Sequence, residues 1–123
     1  MHPEISGNKF RKLRYNILEA QRQGKDKLLT FGGAFSNHIA AAAAAGKEFG
    51  IRTVGVIRGE ELGQDLEKTV NENPTLRQAV EHGMELEFLS RDDYRNKTSP
   101  EILEKLSLRH GNPYLLPEGW ILS

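Results

Sequence analysis

Apolar residues along the chain follow two patterns: short runs that are mainly continuous, and positions three or four residues apart. The runs cover residues 27–31, 53–57, 85–89 and 114–116. Runs of this length are typical of buried strands. The run 53–57 is apolar nearly throughout, which predicts a strand that is buried on both faces of a parallel sheet.

The wider spacing is typical of helices that bury one face. It predicts four helices, over residues 9–23, 37–49, 75–82 and 100–110. Each is followed by a glycine, which is a common helix stop. Ser6 or Asn8 is expected to cap the first helix, while Pro74 and Pro100 are suited to begin the third and fourth.

The predicted inner faces follow from the same spacing. We expect the first helix to bury Leu13, Ile17 and Leu18, and the fourth to bury Leu106 and Leu108 beside its other apolar residues. Between the periodic segments, residues 58–73 are polar and charged, which predicts a surface loop that can include a helical turn. Residues 90–97 predict a charged loop or a short helix.

One helix followed by alternating strands and helices predicts a three-layer α/β fold, in which an open parallel sheet of about four strands is flanked by helices. We expect one domain over residues 1–123. Residues 1–24 form its lysine-bearing helix, residues 25–119 its strand-helix repeats, and residues 120–123 an atypical tail. The alanine run after His38 is most simply a face for close helix packing.

Composition narrows the function classes. The 17 basic and 17 acidic residues cancel, so no overall field attracts nucleic acid or an anionic membrane. Cysteine is absent, which rules out disulfides and thiolate metal sites. No apolar stretch approaches the roughly 20 residues that span a bilayer. These features favour a cytoplasmic protein without nucleic-acid or membrane partners.

The stretch from Thr30 to His38 is the first candidate site. It combines the end of a strand, the turn Gly32–Gly33, and the N-cap residue types Ser36 and Asn37 before the alanine-rich helix. Such strand-turn-helix junctions often hold ligands, and free amides at a helix start favour anions. A plain helix cap explains Ser36 or Asn37 equally well at this point.

The second candidate is Lys9, predicted near a helix start and beside a glycine. The helix dipole and partial burial would both favour its neutral amine, the form that makes a Schiff base. A solvated surface lysine is the usual alternative. Together with Arg11, Lys12 and Arg14 it could instead form a basic patch for phosphate or nucleic acid.

Other common catalytic sites are not indicated. The segment Gly-Ala-Phe-Ser-Asn (residues 33–37) is not the nucleophile elbow of a serine hydrolase, and no Walker or dinucleotide motif is found. The four histidines are widely separated, which makes a metal site improbable. His82 and His110 each precede a glycine near a predicted helix end, where a cation interacts favourably with the dipole.

Taken together, the motifs Ser-Gly-Asn-Lys-Phe-Arg-Lys-Leu (residues 6–13) and Phe-Gly-Gly-Ala-Phe-Ser-Asn-His (residues 31–38) resemble one enzyme family. It comprises the pyridoxal-phosphate-dependent 1-aminocyclopropane-1-carboxylate deaminases and D-cysteine desulfhydrases, of fold type II, the tryptophan synthase β-subunit type. The resemblance continues through residues 55–61, 73–76 and 114–119 and covers nearly the whole chain.

The resemblance implies a role for each matching residue. Lys9 is similar to the lysine that attaches the pyridoxal 5'-phosphate cofactor, and Lys12 to a residue that helps hold its phosphate. Asn37 resembles the side chain that contacts the hydroxyl of the cofactor ring. Ser36 and His38, with Asn37, resemble the groups around the substrate carboxylate, and Ser36 also resembles a group near the reacting atoms.

The implied reaction is elimination or ring opening on a small amino acid. D-cysteine, giving pyruvate, sulfide and ammonia, is favoured over 1-aminocyclopropane-1-carboxylate because His38 follows Ser-Asn where the deaminase branch has glutamine. Family members are longer, and their glycine-rich phosphate cup comes from a later segment. We therefore expect an incomplete site whose partner is a complementary C-terminal segment or a homo-oligomer. A non-catalytic α/β module and a small anion-binding domain at the Gly32–Gly33–Ser36 turn are the rival hypotheses.

Overall fold

The structure is a computed structural model that describes the backbone of residues 4–116 and the side chains of residues 11–116. The described chain contains six α-helices, four strands and one short 3-10 helix, Glu60–Gly63. In chain order, the elements are α1 (Glu4–Arg22), β1 (Lys27–Gly32), α2 (Asn37–Phe49), β2 (Arg52–Arg58), α3 (Leu66–Glu72), α4 (Pro74–Glu81), β3 (Glu85–Leu89), α5 (Arg91–Arg95), α6 (Pro100–His110) and β4 (Tyr114–Leu116).

The four strands form one parallel sheet in the order β3-β2-β1-β4. Leu29 of β1 is opposite Val54 on one side and Leu115 on the other, which sets the register of the central strands. The predicted parallel sheet of about four strands is confirmed. The order of the strands is new information, because a strand's neighbours cannot be read from its own sequence.

Apolar side chains project from both faces of the sheet, as the apolar run in β2 predicts. Leu28 and Ile57 pack in a core with α1, α2 and α4. Leu29 and Val56 point the other way, into a second core with Tyr94 of α5 and Leu106 of α6. Successive residues of a strand point to opposite faces, so a two-sided core makes the three-layer arrangement. The predicted fold class is confirmed.

The alanine-rich helix α2 packs closely on the sheet. Ala42, Ala43 and Ala45 have no exposed surface. At Gly46, an added Cβ would lie 2.4 Å from Thr53 Cγ2 and 3.0 Å from the carbonyl oxygen of Ile51. The small residues therefore allow a short distance between α2 and the sheet, in agreement with the predicted packing face.

The strand order reverses between β1 and β4. From β1 the chain moves through α2 and α4 to β2 and β3, and these helices lie on one face. It then crosses by α6, on the other face, to β4 at the far side of β1. Ligands of open α/β sheets bind outside the carboxyl ends of the strands at such a reversal. The candidate stretch after β1 lies at this point.

Helix α1 begins earlier than predicted. Its first described residue is Glu4, so Ser6 and Asn8 lie within the helix and the prediction that one of them caps it is wrong. Lys9 consequently lies in the second turn, and because the dipole acts mainly within the first turn, that part of the argument for a neutral amine is lost. The end at Gly24 is confirmed: its φ is +78°, and Lys25 N–H donates to Ala20 O at 2.9 Å.

Three further predictions about the chain's surface need correction. Leu18 is 47% exposed and Leu108 is 79% exposed, so neither belongs to the inner face of its helix. Residues 58–73 contain the 3-10 helix and α3 rather than mainly loop. Asp65 accepts a hydrogen bond from Lys68 N–H at 3.2 Å, and this N-cap explains why a helix begins in so polar a segment. Over residues 4–116, no helix is long and apolar enough to cross a membrane.

Candidate functional site

The turn between β1 and α2 depends on a glycine that allows close approach. A Cβ on Gly32 would lie 2.6 Å from Ile39 Cγ1 and 3.1 Å from Ser36 Cβ. The turn closes through a hydrogen bond from Ser36 N–H to Gly33 O at 3.1 Å. The start of α2 is thereby held directly against the end of β1, at the carboxyl edge of the sheet.

Ser36 occupies the N-cap position of α2, but its side chain does not cap the helix. By contrast, the N-cap side chains of Asp65, Asn73, Ser90 and Ser99 all accept a backbone N–H of their own helices. The Ser36 hydroxyl is half-buried, and Asn37 is exposed. Both side chains are therefore available to a ligand at the start of α2, which favours the ligand interpretation over the plain cap.

His38 is buried beneath this helix start, with 5% of its surface exposed. Its Nε2 lies 2.7 Å from Thr30 Oγ1, and the Thr30 hydroxyl donates to Leu116 O at 2.8 Å. Because a hydroxyl has one hydrogen, Thr30 must accept from His38, which places a proton on Nε2. This chain of hydrogen bonds, which we call the Thr30 relay, joins α2, β1 and β4.

The Thr30 relay was not predicted from the sequence. Thr30 was predicted as the strand end at which the candidate stretch begins, without a role of its own, because a threonine in a buried strand gives no separate signal. The relay gives His38 a defined position in the fold, whereas its predicted contact with a substrate carboxylate stays a prediction. What the relay fixes is the position of the helix start relative to the point where the strand order reverses.

Asn73 is a second residue whose position at the site was not predicted. It is 5% exposed, and its Nδ2 donates to Ala34 O at 2.9 Å across the turn after β1. Its Oδ1 accepts from Leu76 N–H at 3.1 Å and so caps α4. The asparagine before a helix-starting proline predicts the cap, and residues 73–76 belong to the family resemblance, but neither signal predicts the link to Ala34.

An open groove of about 520 Å³ lies between α1 and β4. Its lining residues are Arg11, Lys12, Tyr15, Asn16, Tyr114, Leu115 and Leu116. The volume is in the range of small-molecule pockets. Two cations and two tyrosine rings are the chemistry that an aromatic phosphate ester would require, so the residues present fit pyridoxal phosphate.

The groove is held in shape by hydrogen bonds between its two walls. The Tyr114 hydroxyl donates to Asn16 Oδ1 at 2.8 Å, and Asn16 Nδ2 donates to Lys12 O at 2.8 Å. Burial raises the pKa of Tyr114 above its ordinary value of 10.0, with smaller contributions from Glu19 and Tyr15. The neutral hydroxyl is thus retained, and the turn of α1 that carries Lys12 is fixed to β4.

Leu116 connects the two parts of the site. It lines the groove, and its carbonyl oxygen accepts the hydrogen bond from Thr30. The structure therefore brings Ser36, Asn37 and His38 together on one helix turn and places Lys12 in the adjoining groove. The side chain of Lys9 lies outside the described residues, so its predicted role stays a prediction.

No model of a known protein family matches the chain. The chain is 31% identical over 120 residues to the mitochondrial bifunctional D-cysteine desulfhydrase/1-aminocyclopropane-1-carboxylate deaminase of Arabidopsis thaliana, covering 94% of this chain and 29% of that protein. It is 30% identical over 117 residues to D-cysteine desulfhydrase of Salmonella paratyphi A, covering 94% of this chain and 34% of that protein.

A solved structure agrees with these similarities. The crystal structure of a homologue of 1-aminocyclopropane-1-carboxylate (ACC) deaminase matches this chain with a TM-score of 0.57 and 29% identity. The match covers 91% of this chain and 32% of that one. The resemblance found in the sequence motifs is confirmed: curated homologues over nearly the whole chain are enzymes of this kind. The chain spans about a third of the length of the relatives it matches.

Proposed function

We propose that this chain, homologous to about a third of the 1-aminocyclopropane-1-carboxylate deaminases and D-cysteine desulfhydrases, supplies one wall of a pyridoxal-phosphate site for elimination on a small amino acid. D-cysteine, which with one water gives pyruvate, sulfide and ammonia, is the favoured substrate. Ring opening of 1-aminocyclopropane-1-carboxylate, which with one water gives 2-oxobutanoate and ammonia, is the alternative within the same chemistry.

The observation that carries this proposal is the position of the α2 start beside the Lys12 groove. Ser36 presents a hydroxyl that caps nothing, Asn37 is exposed, and Lys12 lies in a groove that reaches the strand to which His38 is linked. Lys12 can hold a phosphate and the start of α2 can hold a carboxylate, and Leu116 connects these two parts of the site.

Each residue has an assigned task in the proposed site. Lys12 would hold the cofactor phosphate by charge, and Asn37 would donate to the ring hydroxyl. Ser36 and the first amides of α2 would bind the substrate carboxylate. His38, held by Thr30, would keep those amides in place. Lys9 would attach the cofactor and move the proton at the substrate carbon. When bound, the cofactor supplies the electron sink for the reaction.

Borohydride trapping tests the assignment of Lys9. Cofactor is added to the chain, the adduct is reduced, and the modified lysine is located by peptide mass mapping. We expect the label on Lys9, with loss of label in Lys9→Ala and retention in Lys25→Ala, a lysine beyond the end of α1. Labelling spread evenly over exposed lysines would contradict the cofactor site.

A second arm tests whether more of the family's length is required. The trapping and an assay for pyruvate from D-cysteine are repeated in the presence of the C-terminal segment of a longer relative. We expect a larger fraction of Lys9 to be labelled in this mixture than in the chain alone, and pyruvate to be released only in the mixture. If labelling stays absent in both arms, the enzyme proposal fails and the chain is a non-catalytic α/β module.

One observation favours the rival anion-binding domain, namely the helix start that Ser36 does not cap. The discriminating measurement is an NMR titration with inorganic phosphate. Shifts that saturate at Ser36, Asn37 and His38, without trapping of cofactor on Lys9, would support that rival and oppose the enzyme proposal.

A further inference from the structure

A second pocket lies at the same edge of the sheet, on the opposite face from α2. Its volume is about 410 Å³, and we call it the arginine pocket. Its lining residues are Arg58, Arg91, Tyr94, Arg95 and Lys97. Arg58 is the last residue of β2, and the others lie on or directly after α5, which follows β3. Carboxyl ends of neighbouring parallel strands thus bring four cations together.

Tyr94 forms the rigid floor of the arginine pocket. It is 6% exposed, and its ring packs edge-on against Phe31 with centroids 6.4 Å apart. Lys97 Nζ lies 4.4 Å from the centre of the Tyr94 ring, and Arg58 Cζ lies 6.0 Å from it. Cations at this distance interact favourably with an aromatic face. The ring therefore holds two positive groups near each other.

All the charged side chains that line this pocket are positive. Arg91 pairs with Glu61 at 3.1 Å and Arg95 pairs with Asp92 at 3.4 Å, while all four side chains are more than half exposed. Exposed pairs of this kind contribute little stability and exchange readily with other partners. Among the described residues, Arg58 has no ion pair within 4.0 Å.

We propose that the arginine pocket binds a small oxyanion with two or more negative charges, such as a phosphate ester or a di- or tricarboxylate. Arginine's planar fork matches the oxygens of either group, and three arginines allow more than one anionic group to be held at once. The volume is suited to a small organic molecule rather than to a single halide ion. The pocket is separate from the start of α2 and independent of the function proposed for it.

Arg58 also places this pocket beside the turn that follows β1. Its Nη2 lies 3.8 Å from the position that a Cβ on Gly33 would occupy. An anion bound to Arg58 therefore adjoins the backbone of Gly33, three residues before Ser36. The amides of Gly33 and α5 shifting together report occupancy without any enzyme activity, whereas a shift at Gly33 without shifts in α5 would indicate an anion at the turn before α2.

The test is an NMR titration of the labelled chain with inorganic phosphate and with citrate, at constant ionic strength maintained with chloride. We expect saturable shifts at Gly33, Arg58 and the amides of α5, with citrate binding more tightly than phosphate. The Arg58→Gln substitution should weaken binding about tenfold, as expected for loss of one charge-assisted hydrogen bond.

Arg52→Gln is the matched control, because Arg52 and Arg58 are the exposed first and last residues of β2. Six residue steps along a strand separate them by roughly 20 Å, which exceeds the screening length of about 10 Å in 0.1 M salt. The control should bind like the unaltered chain. Equal weakening by both substitutions, shifts confined to residues 36–38, or the absence of saturation with both anions would each overturn the proposal.

Discussion

The Thr30 relay allows a quantitative test, because one hydroxyl serves two buried partners. Replacing Thr30 with valine keeps the side chain's shape but removes the donor to Leu116 O and the acceptor for His38 Nε2–H. Thr30, His38 and Leu116 are all buried, so water cannot readily replace the missing group. A buried polar group left without its partner costs about 1–3 kcal/mol.

We therefore expect Thr30→Val to lower the free energy of unfolding in urea by about 1–3 kcal/mol. Thr30→Ser is the control, because it keeps the hydroxyl and removes one methyl group, worth about 0.8 kcal/mol of apolar burial. A double-mutant cycle with His38→Phe isolates the link between the two side chains, and residues that share a hydrogen bond couple by about 0.5–3 kcal/mol.

The histidine ring provides a direct readout of the same reasoning. Nitrogen NMR of His38 should show the proton on Nε2 in the unaltered chain and in Thr30→Ser. In Thr30→Val, that preference should be reduced. The reasoning is refuted if the valine variant is as stable as the unaltered chain, or if the unaltered chain carries the proton on Nδ1 alone.

Three other substitutions test separate parts of the fold. Gly46→Ala is favourable for an isolated helix, but here it should destabilise the chain by about 1–3 kcal/mol because the added Cβ meets Thr53 and the backbone of Ile51. Urea unfolding measures this, and Ala44→Gly, at a half-buried position in α2, serves as the reference for exchanging alanine and glycine in this helix. Asn73→Ala should increase hydrogen exchange at residues 33–36, because the bond to Ala34 is lost, whereas intact protection there would contradict the role of Asn73. Burial raises the pKa of Tyr114 in the folded state, so the stability that its neutral hydroxyl contributes is present below pH 10.0 and declines as pH rises through the folded-state pKa. In urea unfolding at alkaline pH, Tyr114→Phe should therefore lose less stability than the unaltered chain, and equal losses would contradict this.

Local signals in the sequence were sufficient for several elements. Helix α2 has its predicted bounds: Ser36 occupies the N-cap position without a side-chain cap, and Gly50 ends the helix with a φ of +74° that suits glycine. Strands β3 and β4 also have their predicted bounds. Helix α6 begins at Pro100 as predicted, and Ser99 before it caps the helix by accepting from Ile102 N–H at 3.3 Å. In each case, residues adjacent in sequence determine where the element begins or ends.

Features that depend on distant residues could not be predicted. Thr30 and Leu116 are 86 positions apart, and their hydrogen bond follows from the pairing of β1 with β4. The exposure of Leu18 and Leu108 reflects which faces α1 and α6 turn toward the sheet, and helical spacing alone does not determine that. The candidate residues of α2 were identified by motif, whereas their support from Thr30 and Asn73 required the fold.

The pairing of β1 with β4 has a consequence for the order of folding. The β1–β2 and β2–β3 pairs are formed by strands close in sequence, whereas β4 must return across α5 and α6 to a strand near the other end of the chain. Contacts between distant residues form slowly, because a long loop must first be closed. The Thr30 relay is therefore expected to form late, as the chain emerging from the ribosome reaches Leu116. For the ligand site proposed at the start of α2, affinity is then expected only after β4 has joined the sheet, so nascent chains that end before Leu116 should not bind.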